Sequence, residues 1–279
     1  KNLIHEKKIP AKEVDSLIIG QVLASGGGQA PVRQAAIQGG LSDDTPCVGV
    51  SKVCGSGMQS LIYGIQEIQL GRADLVIAGG MEVMSRAPYL LTKTRQGTKL
   101  GHVLTLDSII HDGLWDSFGD AHMGEYGEKC VREYGFSRED QDMYAKQSYE
   151  CALNSQKMGY FDREMVPVQA RKELISSDES PQQFNPDKMG DLKPVFDRDG
   201  TITSANASSI NDGASLLVLM SEKKMKALSK KPLARVIDYA SHANEPCWFT
   251  TAPASAIQNN LKKVNKTISD VDLFEINEA

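Results

Sequence analysis

The sequence contains no apolar run approaching the roughly 20 residues that cross a bilayer as a helix. Its strand-like stretches are short and broken by Gly or charge, so no membrane-spanning segment is expected. A surplus of positive charge is also missing. The 31 Lys and Arg stand against 36 Asp and Glu, a formal net charge of −5, and the basic residues are scattered. A nucleic-acid partner is therefore not expected. Cysteine pairing is absent as well: Cys47, Cys54, Cys130, Cys151 and Cys247 are odd in number and show no CxxC spacing. That argues against a disulfide framework and a zinc ribbon, and fits a reducing compartment with no metal. Cys47, Cys130, Cys151 and Cys247 each read as a small buried hydrophobe. The opening KNLIHEKKIPAKEV has no apolar signal core. A cytoplasmic location is expected, with the mitochondrial matrix as the alternative if a transit peptide once preceded it.

What is present is the composition of a globular protein, 41% hydrophobic and 24% charged, on a chain of 279 residues that can bury a substantial core. The first third alternates strand and helix patterns, the mark of an α/β layer fold. Leu17–Ile19 reads as a strand, and Gly26–Gly28 as a loop leading to Pro31, which suits the first turn of a helix stopping at Gly39–Gly40. Cys47–Val50 reads as a buried strand, followed by the turn Ser51–Gly57. An amphipathic helix then carries Met58, Leu61, Ile62, Ile65 and Ile68 on one side and ends at Gly71. Leu75–Ala78 reads as an apolar strand, with Gly79–Glu82 as the loop leaving it. The order β, α, β, α, β with short connections predicts parallel pairing with right-handed crossovers.

From about Ser85 to Ser209 the pattern is irregular around one clear helix, with Ser137 as cap, Asp140 at the capping-box position and Gly159 after its end. Tyr144, Ala145, Tyr149, Ala152 and Leu153 form its expected buried stripe. An excursion this long suits a functional cover better than a linker. Strand patterns return at Leu216–Met220, Arg235–Tyr239 and Val271–Ile276, with Ala256, Ile257, Asn260, Leu261 and Val264 at helical spacing between the last two. The sequence stops at Asn277-Glu278-Ala279, which creates the expectation of an α/β half begun and not completed.

The strongest chemical feature is SKVCGSGMQS, Ser51 to Ser60, where Cys54 lies between a strand and a helix N-terminus. Exposed helix N–H groups and the positive dipole end favour a thiolate over a thiol. Gly55 and Gly57 permit close backbone approach and strained torsions. On these grounds alone a reactive Cys54 and an inert buried one are equally supported.

VCGSGMQS resembles the nucleophile motif of the thiolase family. GGMEVMSRAPY at Gly79–Tyr89, DGLWD at Asp112–Asp116, HMGEYGE at His122–Glu128, NASSINDGAS at Asn206–Ser215 and FEINEA at Phe274–Ala279 follow in the family's order and spacing. Among thiolases the resemblance is closest to acetyl-CoA acetyltransferases. It implies an α/β, thiolase-like layered αβαβα fold of two similar halves with a long inserted loop domain. Residues 1–83 plus 210–232 would be the first half, lacking its first strand. Residues 84–209 would form the loop domain over the CoA site, and 233–279 the start of an incomplete second half.

The resemblance further implies a reversible Claisen condensation of two acetyl-CoA to acetoacetyl-CoA and CoA through an acyl-Cys54 intermediate, a step of fatty acid and lipid metabolism. Coenzyme A thioesters are then substrates, with no permanently bound cofactor. Asn277 would hold a water that donates to the thioester oxygen of the second acetyl-CoA. His122 and Met123 would line the acyl and pantetheine channel, Leu114 and Phe196 would pack the cofactor, Ser208 would contact the pantetheine arm and Phe249 would shape the acyl pocket. A homodimer or homotetramer is implied. No phosphate contact is assigned, since only Lys188 and Lys193 lie near Pro181–Phe184. The family's GHP histidine and CxGGG cysteine lie beyond its asparagine, so residues 1–279 alone are expected not to turn over. Two other readings stand beside this one: a ketoacyl synthase-like condensing enzyme, and a non-catalytic CoA- or acyl-binding protein.

Overall fold

The computed structural model describes residues 1–170 and 173–279. Its helices are α1 Asn2–Glu6, α2 Pro31–Gly39, α3 Ser56–Gln69, α4 Met123–Tyr134, α5 Arg138–Lys157, α6 Glu222–Ala227 and α7 Ala252–Lys263. The chain divides into two compact units: residues 1–115 with 210–239, and residues 116–209 with 240–279. Among the described residues no helix is long and apolar enough to cross a membrane.

The first unit is built on a four-stranded sheet of β1 Ser16–Gly20, β2 Cys47–Val50, β3 Leu75–Val83 and β4 Asp212–Met220, in the order β4-β3-β1-β2. β1 pairs in parallel with both β2 and β3, as the alternating pattern predicts. β4 runs antiparallel to β3 from Asp212↔Val83 to Met220↔Leu75, so the sheet is mixed. The central strand β1 is buried along its whole length, and Leu75 through Ala78 of β3 are buried too. Leu17, Ile19, Leu75 and Ile77 pack on one face with Val32 and Ala36 of α2, while Ile18 and Val76 pack on the other with Ile68 of α3. Burying one such side chain contributes about 1.5–3 kcal/mol.

Several expectations are corrected here. Cys47–Val50 is a strand but not a buried one: among the described residues it pairs with β1 alone, and at this edge Val48 is 49% exposed. Gly79–Glu82 is no loop, because β4 supplies partners that carry β3 on to Val83. The inward line of α3 is Ser56, Ser60 and Gly64 with Ile62, whereas Met58 points outward, 67% exposed. Small residues win that face because the helix lies close on the sheet.

In the second unit α5 starts at the Ser137 and Asp140 capping box as expected. Its stripe is only partly buried, and Tyr144 is exposed. Cys151 on the same helix is exposed rather than buried. The helix α4 has no counterpart in the sequence reading. α7 matches the helical spacing found there, but Val271–Ile276 forms no strand, and in the first unit neither does Arg235–Tyr239. A strand exists only within a ladder, and among the described residues neither segment has one.

Candidate active site

In the first unit the chain leaves β2 at Val50 and enters α3 at Ser56, with Gly55 as its N-cap. Cys54 lies on this turn and is exposed. The strained torsion of the turn falls on Val53, at φ +47°, and not on Gly55 or Gly57 as expected. A β-branched residue in the left-handed region costs about 1–3 kcal/mol and persists only where its surroundings over-determine it. Ser56 supplies that constraint: its buried hydroxyl donates to Val53 O at 2.6 Å and accepts from Lys52 N at 2.8 Å. Backbone bonds Gly55 N to Lys52 O at 3.1 Å and Ser56 N to Val53 O at 3.0 Å close the same turn.

The start of α3 lies against the ends of β1 and β3. A Cβ at Gly20 would stand 2.3 Å from the Ser56 carbonyl carbon, and the Gly57 Cα faces Gly80 closely enough that a Cβ on Gly80 would meet it at 3.5 Å. Fully buried Ser60 stitches the contact, accepting from Gly79 N at 3.0 Å with its hydroxyl 2.6 Å from Gly79 O. Glu82 on β3 accepts from Val22 N at 2.9 Å and Leu23 N at 3.3 Å, fixing the loop after β1. Leu114 ends a wide π-type turn, Ile109–Leu114, in which Gly113 approaches Leu23. Cys54 and Leu114 thus belong to the first unit.

The other sequence-predicted residues belong to the second. His122 caps α4: its Nδ1 accepts from Gly124 N at 3.0 Å, while the Glu125 carboxylate accepts from His122 N at 3.0 Å. Burial lowers the His122 pKa, opposed by the nearby Glu125 charge. Because Nδ1 accepts, the neutral ring carries its proton on Nε2, which is then a donor. Phe196 stacks on His122 with ring centroids 4.7 Å apart at 23°. A Cβ at Gly124 would lie 2.3 Å from the Phe196 ring, so glycine is required there. Met123 is the first residue of α4, partly buried beside this pair.

Behind that end of α4, Tyr126 donates to Asp116 Oδ2 at 2.7 Å. This bond raises the phenol to about 12 and lowers the carboxyl. Glu128, 1% exposed, accepts from Thr201 N at 2.8 Å and Ile202 N at 2.7 Å and ties α4 to the segment after Phe196. Phe249 is partly buried in the turn Pro246–Thr251, where Lys129 of α4 lies 4.3 Å over the Trp248 ring. Ser208 and Asn277 are exposed, and Ser208 N donates to the main-chain oxygen of Ala279 at 3.0 Å, which brings the NAS and NEA segments together.

Sequence reasoning does not find Val53, Ser56 and Glu82 as site-building residues. A Ser two residues after the cysteine, at the start of the helix pattern, is the signal the sequence holds for the first pair.

Residues 1–223 match the family model "Thiolase, N-terminal domain", and residues 230–279 match "Thiolase, C-terminal domain". A "Probable acetyl-CoA acyltransferase" of Staphylococcus aureus strain MSSA476 is 44% identical over 284 aligned residues, covering 100% of this chain and 72% of that protein. Its counterpart in strain NCTC 8325 is 43% identical with the same coverage. Acat5 thiolase from Ascaris suum, solved in complex with coenzyme A, superposes with a TM-score of 0.94 at 38% identity over 99% of this chain and 72% of that one. That superposition bears out the thiolase-like α/β fold. With two family models covering nearly all of it, this chain belongs to the thiolase family of acyltransferases.

Proposed function

We propose that the protein is an acetyl-CoA C-acetyltransferase that joins two acetyl-CoA into acetoacetyl-CoA and CoA, with Cys54 as acyl carrier. The observation that carries this is an exposed cysteine on a strained, hydrogen-bonded strand-to-helix turn. Such a turn presents sulfur outward while spending no flexibility on holding it. The Cys54 sulfur attacks the thioester carbonyl of acetyl-CoA, the acyl–enzyme bond forms and CoA leaves as its thiolate. A second acetyl-CoA, its α-proton passed to the cysteine of the family's CxGGG motif, attacks acyl-Cys54 through carbon, and Cys54 leaves as its thiolate.

Asn277 is assigned the water that donates to the thioester oxygen as charge develops there; one pre-placed donor of that kind is worth about 3–4 kcal/mol in other enzymes. His122, through Nε2–H, and Ser208 are assigned to the pantetheine arm, Leu114 and Phe196 to packing of the cofactor, and Met123 and Phe249 to the acyl pocket. Residues 84–209 are assigned to a cover over the CoA site. The coenzyme A bound in the Ascaris suum thiolase and the acetyl-CoA in the relatives' names support this substrate class. Acetoacetyl-CoA is the assigned substrate in the reverse direction, ahead of longer or 2-methyl-branched 3-ketoacyl-CoA. A cytoplasmic homodimer or homotetramer in lipid metabolism completes the reading.

The test is a brief incubation of the full-length protein with acetyl-CoA, followed by peptide mass mapping and thiolysis assays on 3-ketoacyl-CoA of several lengths. An acetyl group on Cys54, lost with thiolysis in Cys54→Ala, is expected. Acylation at another residue, or thiolysis retained by Cys54→Ala, refutes the reading.

A further inference from the structure

The residue after Asn277 is gripped from α5. The Glu278 carboxylate accepts from Tyr144 Oη at 3.1 Å and from Ser148 Oγ at 2.6 Å. These donors stand four residues apart, one turn along the same face of the helix. Accepting its hydrogen bond, Glu278 raises the Tyr144 phenol above its ordinary pKa.

The same helix grips the loop that carries Ser208. Asp142 Oδ1 accepts from Asn206 Nδ2 at 2.9 Å, and Gln141 Nε2 donates to Thr201 Oγ1 at 2.9 Å. Asp142 is itself held by Arg138 Nε at 2.7 Å, and Arg138 is fixed through its guanidinium to Met189 O at 2.8 Å and Leu192 O at 3.1 Å. Asn277 and Ser208 are therefore both referenced to one rigid element, and the Ser208–Ala279 bond closes the loop between them.

We propose that Tyr144 and Ser148 are positioning residues for Asn277, holding it through Glu278 in register with the Ser208 loop. This rests on the thiolase reading of Asn277 given above. A donor displaced by about 1 Å from developing charge can cost about a hundredfold in rate. Transfer of acetyl from CoA to Cys54 does not use the enolate, whereas carbon–carbon bond formation does. Loss of the Glu278 anchor therefore slows condensation selectively.

The experiment compares full-length wild type with Ser148→Ala, Tyr144→Phe, their double variant, Ser148→Thr and Asn277→Ala. For each, the rate of acetyl appearance on Cys54 is measured by quenched-flow mass spectrometry, and condensation by steady-state kcat and KM. The double variant is expected to lose about tenfold or more in condensation relative to its own acylation rate, mostly in kcat, and Ser148→Thr to recover most of the single-variant loss. The acylation rate doubles as the check that each variant is folded. Equal loss in both steps, or no loss in either, overturns the positioning role while leaving the thiolase reading intact. A wild type that does not acylate at Cys54, or an Asn277→Ala variant with no selective condensation defect, overturns that reading and this proposal with it.

Discussion

The Ser56 hydroxyl donates to the main-chain carbonyl of Val53 at 2.6 Å, bridging the turn on which Cys54 is carried. Replacing Ser56 by Ala leaves the Lys52 N–H and the Val53 carbonyl without that partner beside a backbone already in the left-handed region. Ser56→Ala is expected to cost about 1–3 kcal/mol in urea unfolding and to slow acetylation of Cys54. Unchanged stability together with unchanged acetylation would show that the latch does not hold the turn.

Gly20 and Gly213 offer a matched pair within one sheet. A Cβ at Gly20 would enter the α3 backbone at 2.3 Å, whereas one at Gly213 meets nothing within 4 Å. Gly20→Ala should destabilise by about 1–3 kcal/mol or more, and Gly213→Ala should stay within about 0.5 kcal/mol. Thermal or urea unfolding of the two variants checks the contrast.

His122 gives a pH dependence with a definite sign. Its folded pKa is lowered from 6.5 by burial, so the unfolded chain binds the extra proton more readily. The contribution is complete above pH 6.5 and is lost as pH falls through the lowered folded value. His122→Asn keeps a side-chain oxygen for the cap and should flatten this component of the acid limb in pH-dependent urea unfolding. A limb as steep in His122→Asn as in wild type would assign that component to other groups.

Gly124 is tested through Phe196. Gly124→Ala would drive a methyl to 2.3 Å from that ring and unstack it from His122. The expected result is a raised KM for acetyl-CoA and a loss of about 1–3 kcal/mol in stability, with the paired change Gly124→Ala, Phe196→Leu recovering stability but not KM.

Much of this was legible in sequence. β1, α2, β2 and the α5 capping box follow from periodicity, Pro31, Ser137 and Asp140, and the thiolase motifs mark Cys54. Other parts were hidden for physical reasons. A valine gives no local sign of a positive φ, because tertiary constraint imposes it. α4 escaped because its cap is a histidine, although Glu125 three residues later was the available capping-box signal. The first half of β4, Asp-Gly-Ala-Ser, is polar and small, since it is exposed and gains its strand character from pairing with β3. Met58 turns outward because Ser56, Ser60 and Gly64 take the sheet-facing positions, which apolar periodicity alone does not reveal.

That seam of small residues has a consequence for how the protein can change over generations. A Cβ at Gly20 would enter the α3 backbone at Ser56 and Gly57, and the buried Ser60 hydroxyl is bonded to Gly79 on β3, so enlarging Gly20 or Ser60 must move the helix end and the cysteine with it. Variation tolerated without loss of acyl transfer is thereby steered to outward positions such as Met58, and a deep mutational scan should find few accepted substitutions at Gly20 and Ser60 and many at Met58.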